Sequence, residues 1–328
     1  MRIFVLGATG HLGQAVVRHA LAQGHTVTAA SRQPHPVASR GLEVKTVLID
    51  GRLSALTELS AGHDVLVDAA APYPLEPCMR DSVPWRQAVS SAVQRTERVL
   101  AAARRNRLRL AFISSCTTLP RRESPLRAME SAWRRSAYPY FEVKSAMEQA
   151  VMRAAAQGLP AVIVNPAACL GPWEFRAQES SFVGLVLARR LPMVMDHTLS
   201  VIDVRDVAEA IGRALEREFF GRPIPLAGHD VNMVELARQI LMLDGAGAAA
   251  PAALDSRLAS LAAFWTSASL AAFNRTPPDA LRATPLAADG FPMDPSPEQV
   301  AMGLSLHSLQ DTLREAIAFH RNLRLTQP

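Results

Sequence analysis

Lysine is almost missing from this sequence. Of 35 basic residues only Lys45 and Lys144 are lysines, and the other 33 are Arg, so wherever any cation would serve the chain uses Arg. Tyrosine is equally scarce, with only Tyr73, Tyr138 and Tyr140. Cys78, Cys116 and Cys169 are the only cysteines; they lie far apart without CxxC spacing, which excludes a disulfide framework and the usual zinc signatures. No stretch reaches the ~18 consecutive apolar residues of a membrane span, so an untargeted, cytoplasmic protein with no membrane partner is expected. The net charge of +5 is scattered in pairs such as Arg104/Arg105 and Arg189/Arg190, without interleaved aromatics. That pattern describes a solvated surface and not a nucleic-acid site. Acidic residues are absent altogether before Glu43.

What is present is an ordinary globular composition, 49% hydrophobic and 20% charged over 328 residues, enough for one large α/β domain or two smaller ones. Short β-branched apolar runs at 3–6, 26–30, 44–49, 64–70, 109–115 and 161–165 alternate with helical segments at 12–23, 85–105 and 140–157. Strands that read as continuous apolar runs between helices imply a parallel sheet covered on both faces, hence a doubly wound α/β fold. After residue 166 the rhythm breaks into shorter pieces. The expected division is a first domain over 1–166 and a smaller, mostly helical, mixed α/β region over 167–328, partly interleaved with the first. DGAGAAAPAA (244–253) reads as a connector, and the tail with apolar residues at 309, 313, 317 and 319 reads as an amphipathic helix.

VLGATGHLG sets Gly7, Gly10 and Gly13 between the first strand and the first helix. Gly7 permits the tight turn, Gly10 lets a pyrophosphate approach the helix N-terminus, and Gly13 allows helix and strand to pack closely. A dinucleotide is therefore the expected cofactor. NAD enzymes usually place a carboxylate at the end of the second strand against the ribose 2′-hydroxyl; this chain has none there and instead reads Ser31-Arg32. The forked, permanently charged guanidinium of Arg32 suits a 2′-phosphate, so NADP(H) is expected.

YPYFEVKSAMEQ (138–149) holds Tyr140 and, one helical turn on, Lys144. Three tyrosines in a chain with two lysines give a coincidence probability of about 0.02 for that spacing. Hydride transfer to a ketone leaves an alkoxide that needs a proton, and a tyrosine beside a cation can supply one. Tyr138 lies almost on the opposite face and has no such partner.

GATGHLG with Tyr-x-x-x-Lys resembles the short-chain dehydrogenase/reductase superfamily, and more narrowly its extended branch of dihydroflavonol-reductase-like enzymes, sugar-nucleotide epimerases and dehydratases, and 3β-hydroxysteroid dehydrogenases. YFEVKSAMEQAV is similar to that branch's "YxxSKxxAE", with Val143 in place of the common Ser. The resemblance implies that Thr9, His11 and Leu12 line the cofactor with the three glycines. It also implies Asp50 beside the adenine and Ala69, Ala70 and Ala71 beside the nicotinamide. SSCTT against the branch's "SSAxT" puts Ser115 as the group that polarises the carbonyl, with Thr117 in reserve. NPAACLGPWE puts Asn165 and Pro166 at the nicotinamide, and SVIDVRDVAEAI makes Asp203 and Asp206 helix caps. Together these imply an NADPH-dependent carbonyl reductase with Tyr140 as proton donor, Lys144 and Ser115 assisting, and no metal. A nucleotide-sugar epimerase and a non-catalytic NADP-binding regulatory or assembly protein are the alternatives. The implied partner is a small apolar or aromatic carbonyl compound, with Trp173, Phe175, Phe182, Met193 and Met195 near the expected mouth, and a homodimer is the guess for assembly.

Overall fold

The computed structural model describes residues 1–33, 41–121, 125–175, 181–245, 251–273, 275, 284 and 287–326. The first half runs β1 (Arg2–Leu6), α1 (His11–Ala22), β2 (Thr26–Ser31), β3 (Lys45–Leu48), α2 (Leu56–Leu59), β4 (Val65–Asp68), α3 (Val83–Arg105), β5 (Arg109–Ile113), α4 (Pro125–Ala137), α5 (Pro139–Ala156) and β6 (Ala161–Pro166). The second half runs β7 (Ala168–Leu170), α6 (Phe182–Leu187), β8 (Met193–Asp196), β9 (Thr198–Asp203), α7 (Val204–Glu216), β10 (Pro223–Leu226), β11 (His229–Asn232), α8 (Met233–Leu243), β12 (Ala252–Asp255), α9 (Ser256–Ala272), α10 (Pro297–Met302) and α11 (Leu309–Thr326).

Seven strands form one parallel sheet in the order β10-β6-β5-β4-β1-β2-β3. The chain leaves β1 outward through β2 and β3, then returns to β4 on the other side, so the strand order reverses between β1 and β4. In such sheets the crevice outside the carboxyl ends at this reversal is where ligands bind. Alternate residues of each strand enter two separate cores: Ile3 and Val5 one, Phe4 and Leu6 the other, and likewise Val65 and Val67 against Leu66. Both faces being buried explains why these strands read as unbroken apolar runs.

The seventh strand comes from the second half of the sequence, β10 pairing with β6 through Pro223 to Ile163 and Leu226 to Pro166. The rest of that half forms a three-stranded sheet, β11-β9-β7, and a two-stranded one, β12-β8, over a third core that includes Leu199, Leu236, Ile240, Leu313 and Ile317. Leu313 and Ile317 are buried on α11, which bears out the amphipathic tail. Asp203 caps α7 by accepting from Arg205 N at 2.8 Å. Asp206 does something different from capping: buried within that helix, it accepts from His307 N at 3.0 Å and also bonds the His307 ring, tying α7 to the segment before α11. Part of the expected connector, 246–250, lies outside the described residues, while Ala252 and Ala253 belong to β12. Among the described residues no helix is long and apolar enough to cross a membrane.

Candidate active site

The glycine turn is closed by packing. Gly7 has a φ of +81°, and a Cβ there would lie 2.7 Å from Ala70 Cβ and 2.9 Å from the Ala69 carbonyl carbon. A Cβ on Gly13 would come within 2.1 Å of the Gly7 carbonyl oxygen. The two glycines therefore let β1, α1 and the Ala69-Ala70 strand end converge, which only residues without side chains allow. Gly10 is the N-cap of α1 and gives it no side-chain bond. Thr9 Oγ1 and His11 Nε2 are buried with no hydrogen-bond partner, and Leu12 packs against the core beneath them. Buried polar atoms normally find partners, so this turn has unused polar atoms beside the helix N-terminus where a phosphate binds most readily. A dinucleotide fits it.

Ser31 ends β2, its Oγ donating to Gln33 O at 2.7 Å. Arg32 follows, exposed and without a partner among the described residues. Asp50 uses both carboxylate oxygens on Ser54, accepting from its N and its Oγ at 2.8 Å each. Those bonds, the backbone one foremost, hold its carboxyl below the usual range and give Asp50 a role in the local turn.

Ser115 follows β5 and caps a single 3₁₀ turn, Cys116–Thr118, its Oγ accepting from Thr117 N at 3.2 Å and from Thr117 Oγ1 at 2.9 Å. Pro139 opens α5, the position where a missing N–H costs nothing. Tyr140 therefore sits in the first turn and Lys144 in the next. Tyr140 Oη donates to Ser115 Oγ at 3.5 Å, and Lys144 Nζ donates to the carbonyls of Ile113 and Ser114, each at 3.4 Å. Burial pushes the Tyr140 phenol well above its ordinary value and the Lys144 ammonium down to about 8. Tyr138, on the other side of the helix start, is buried with an unpartnered hydroxyl. Ser115 from the loop after β5 and the Tyr140–Lys144 pair of α5 thus come together at the carboxyl end of β5. Burial drives the Cys116 thiol up to about 11, the wrong direction for a nucleophile.

The matching family model, described as the NAD dependent epimerase/dehydratase family, covers residues 3–232. The chain belongs to that family. It resembles a Synechocystis sp. protein provisionally named dihydroflavonol 4-reductase, with 32% identity over 62% of this chain and 60% of that one, so it spans less than two thirds of that relative's length. A second relative, sterol demethylase protein B of Methylococcus capsulatus, is 28% identical over 75% of each chain. Among solved structures, UDP-glucuronic acid 4-epimerase from Bacillus cereus, in complex with UDP-glucuronic acid and NAD, has the same fold. Its TM-score is 0.71 at 17% identity, covering 98% of this chain and 100% of that one.

Several residues of this family member stand around the site that spacing alone did not single out. Glu148, one turn beyond Lys144 and at the closing Glu of the "YxxSKxxAE" pattern, accepts from Thr118 Oγ1 at 2.8 Å, from Asn165 Nδ2 at 2.6 Å and from Ser114 Oγ. Asn165 also donates to Ser115 O at 3.2 Å, so its amide braces the loop that carries Ser115. Its Oδ1 is buried and unpartnered, while Pro166 ends β6 in the sheet interior. Asp68, at the end of β4, is buried and paired with Arg95 of α3 at 2.6 Å. Tyr73 stacks on Tyr140, centroids 5.3 Å apart and planes at 27°.

None of the apolar residues expected at the mouth belongs to the cluster around Tyr140. Phe182 and Met195 belong to or pack on the third core, Phe175 meets Phe319 edge to face, and Trp173 lies beneath Arg18 against the first core. Met193 is half exposed on β8. The apolar surroundings of Tyr140 are Tyr138, Phe141, Leu75 and Phe264, with Tyr73. No cluster of His, Cys, Asp or Glu among the described residues could hold a metal ion.

Proposed function

We propose that this family member is an NADPH-dependent reductase acting on the carbonyl of a small, apolar or aromatic ketone or aldehyde. The observation that carries the reading is the Tyr140 hydroxyl meeting Ser115 Oγ, with the Lys144 ammonium buried one turn below on the same helix face. Glycines 7, 10 and 13, Thr9, His11, Leu12, Ala69, Ala70, Ala71, Asn165 and Pro166 would hold the dinucleotide, whose reduced nicotinamide supplies a hydride. Ser31 and Arg32 would take a 2′-phosphate, supported by the absence of any carboxylate at that strand end. Asp50 would stand near the adenine, although its oxygens are already engaged with Ser54.

Ser115 hydrogen-bonds the carbonyl oxygen and orients it, in preference to Thr117, because the Thr117 hydroxyl, although also beside Tyr140, spends its proton on Ser115 Oγ. Tyr140 gives its phenolic proton to the developing alkoxide. A buried, strongly held phenol is a poor donor by itself; Lys144, charged, stabilises the phenolate that remains. In this reading residues 1–166 bind the cofactor and 167–328 shape the substrate side.

A panel of carbonyl compounds with NADPH consumption as readout tests the proposal, and turnover with none of them would end it. The fold shared with an epimerase that holds NAD favours a second reading, a nucleotide-sugar epimerase. Purification with bound NAD, and activity with no added cofactor, would decide for that alternative.

A further inference from the structure

Tyr140 and Lys144 are 3% and 1% exposed, so neither can meet a substrate until something above them moves. Phe264 of α9 and Leu75 pack on the cluster of Tyr138, Tyr140 and Phe141. Tyr73 is the residue that spans the pair itself. Its ring stacks on Tyr140 and faces the Lys144 ammonium, whose Nζ lies 5.5 Å from the ring centroid. Unlike the residues it covers, Tyr73 is itself 54% exposed. It stands on a stretch from Ala69 to Met79 without helix or strand, directly after the β4 end that packs on the Gly7 turn. Tyr73 belongs to no helix or strand and can move aside more readily than Tyr140 and Lys144, which are fixed by their helix.

We propose that Tyr73 is a specificity-determining residue: it covers the Tyr140–Lys144 pair and, once displaced, offers its ring face to a flat apolar group of the substrate beside the carbonyl. The substrate class follows from the geometry. The near-parallel offset between Tyr73 and Tyr140 is the arrangement that aromatic rings adopt with one another, and a flat ring entering between them would keep that contact on both sides. An aliphatic chain would lose it. This assignment rests on the reductase reading for its substrate, but not for its test.

Two measurements on the full chain with NADPH present decide it, comparing wild type, Tyr73→Phe and Tyr73→Ala. The first is nitration of Tyr140 by tetranitromethane, followed by peptide mass spectrometry. Tyr73→Ala should nitrate Tyr140 about fivefold faster or more once the cover is gone, while buried Tyr138 keeps its rate and shows that the fold is intact. The second is equilibrium dialysis of acetophenone against butanone. Tyr73→Ala should bind acetophenone about tenfold more weakly with butanone unchanged, and Tyr73→Phe should match wild type, because the ring and not the hydroxyl makes the contact. Unchanged Tyr140 nitration, or equal losses for both ketones, overturns the proposal. Neither readout needs turnover. If wild type reduces no carbonyl while both readouts move as stated, the reductase reading falls and the role of Tyr73 stands; turnover with neither readout moving gives the reverse.

Discussion

Glu148 Oε2 accepts from Asn165 Nδ2 at 2.6 Å, a bond that fastens the helix of Tyr140 and Lys144 to the sixth strand of the sheet. The same oxygen takes the hydroxyls of Ser114 and Thr118, on either side of Ser115. Glu148→Ala would leave the buried Ser114 hydroxyl without its acceptor, while Thr118 and Asn165 keep the Ser115 carbonyl, and we expect a loss of about 1–3 kcal/mol in urea unfolding. Glu148→Gln keeps an acceptor oxygen and should lose less, so equal losses for the two variants would count against the clamp.

Tyr140→Phe removes the proton donor and leaves the stacked ring in place. Turnover of any carbonyl substrate should fall by about 10²- to 10⁴-fold. NADPH affinity, read by its fluorescence on titration, should stay close to wild type. Retained turnover would exclude Tyr140 as the donor.

Lys144 sets a pH dependence whose sign can be worked out. Burial lowers its folded value to about 8 from the ordinary 10.5. Between those two values the unfolded chain holds a proton that the folded one has released, so stability rises as pH rises, and this contribution is lost as pH falls through about 8. The charged ammonium disappears over the same interval, so carbonyl reduction should decline above about pH 8. With only two lysines in the chain, NMR of isotope-labelled lysine gives two side-chain signals. The signal absent from Lys144→Arg should titrate near 8 in the protein without cofactor; a midpoint near 10.5 would show that burial does not act on it as described.

Arg32→Asp places a carboxylate where none exists before Glu43. NADPH binding should weaken by about tenfold or more, while NADH binding is unchanged or improved, since a charge-assisted contact to a phosphate is replaced by repulsion. An unaltered ratio of the two affinities would remove Arg32 from the cofactor site.

Gly13→Ala puts a methyl 2.1 Å from the Gly7 carbonyl oxygen, an atom that cannot move without opening the turn. Overpacking of this kind should cost about 1–3 kcal/mol. Gly24→Ala, where nothing lies within 4 Å but φ is +73°, serves as the comparison that reports backbone strain alone. A thermal midpoint for Gly13→Ala at or above that of wild type would show that the close approach at Gly13 carries no cost.

The sequence by itself determined six strands of the doubly wound core, the glycine turn and the Tyr140–Lys144 pair, because each depends on spacing within one strand, one turn or one helix. Continuous apolar runs mean two buried sheet faces wherever the strands end up, and four residues along a helix share a face in any fold. Only the tertiary structure decided what surrounds them. It brought β10 from the second half into the first sheet, joined Glu148 to Asn165 and Asp68 to Arg95, and laid Tyr73 across Tyr140. It also set Phe175, Phe182 and Met195 in contacts away from Tyr140, where their aromatic or apolar character alone had suggested a mouth. Such pairings join residues from separate elements. Their geometry is fixed by how helices and strands pack, which no local pattern in the chain encodes.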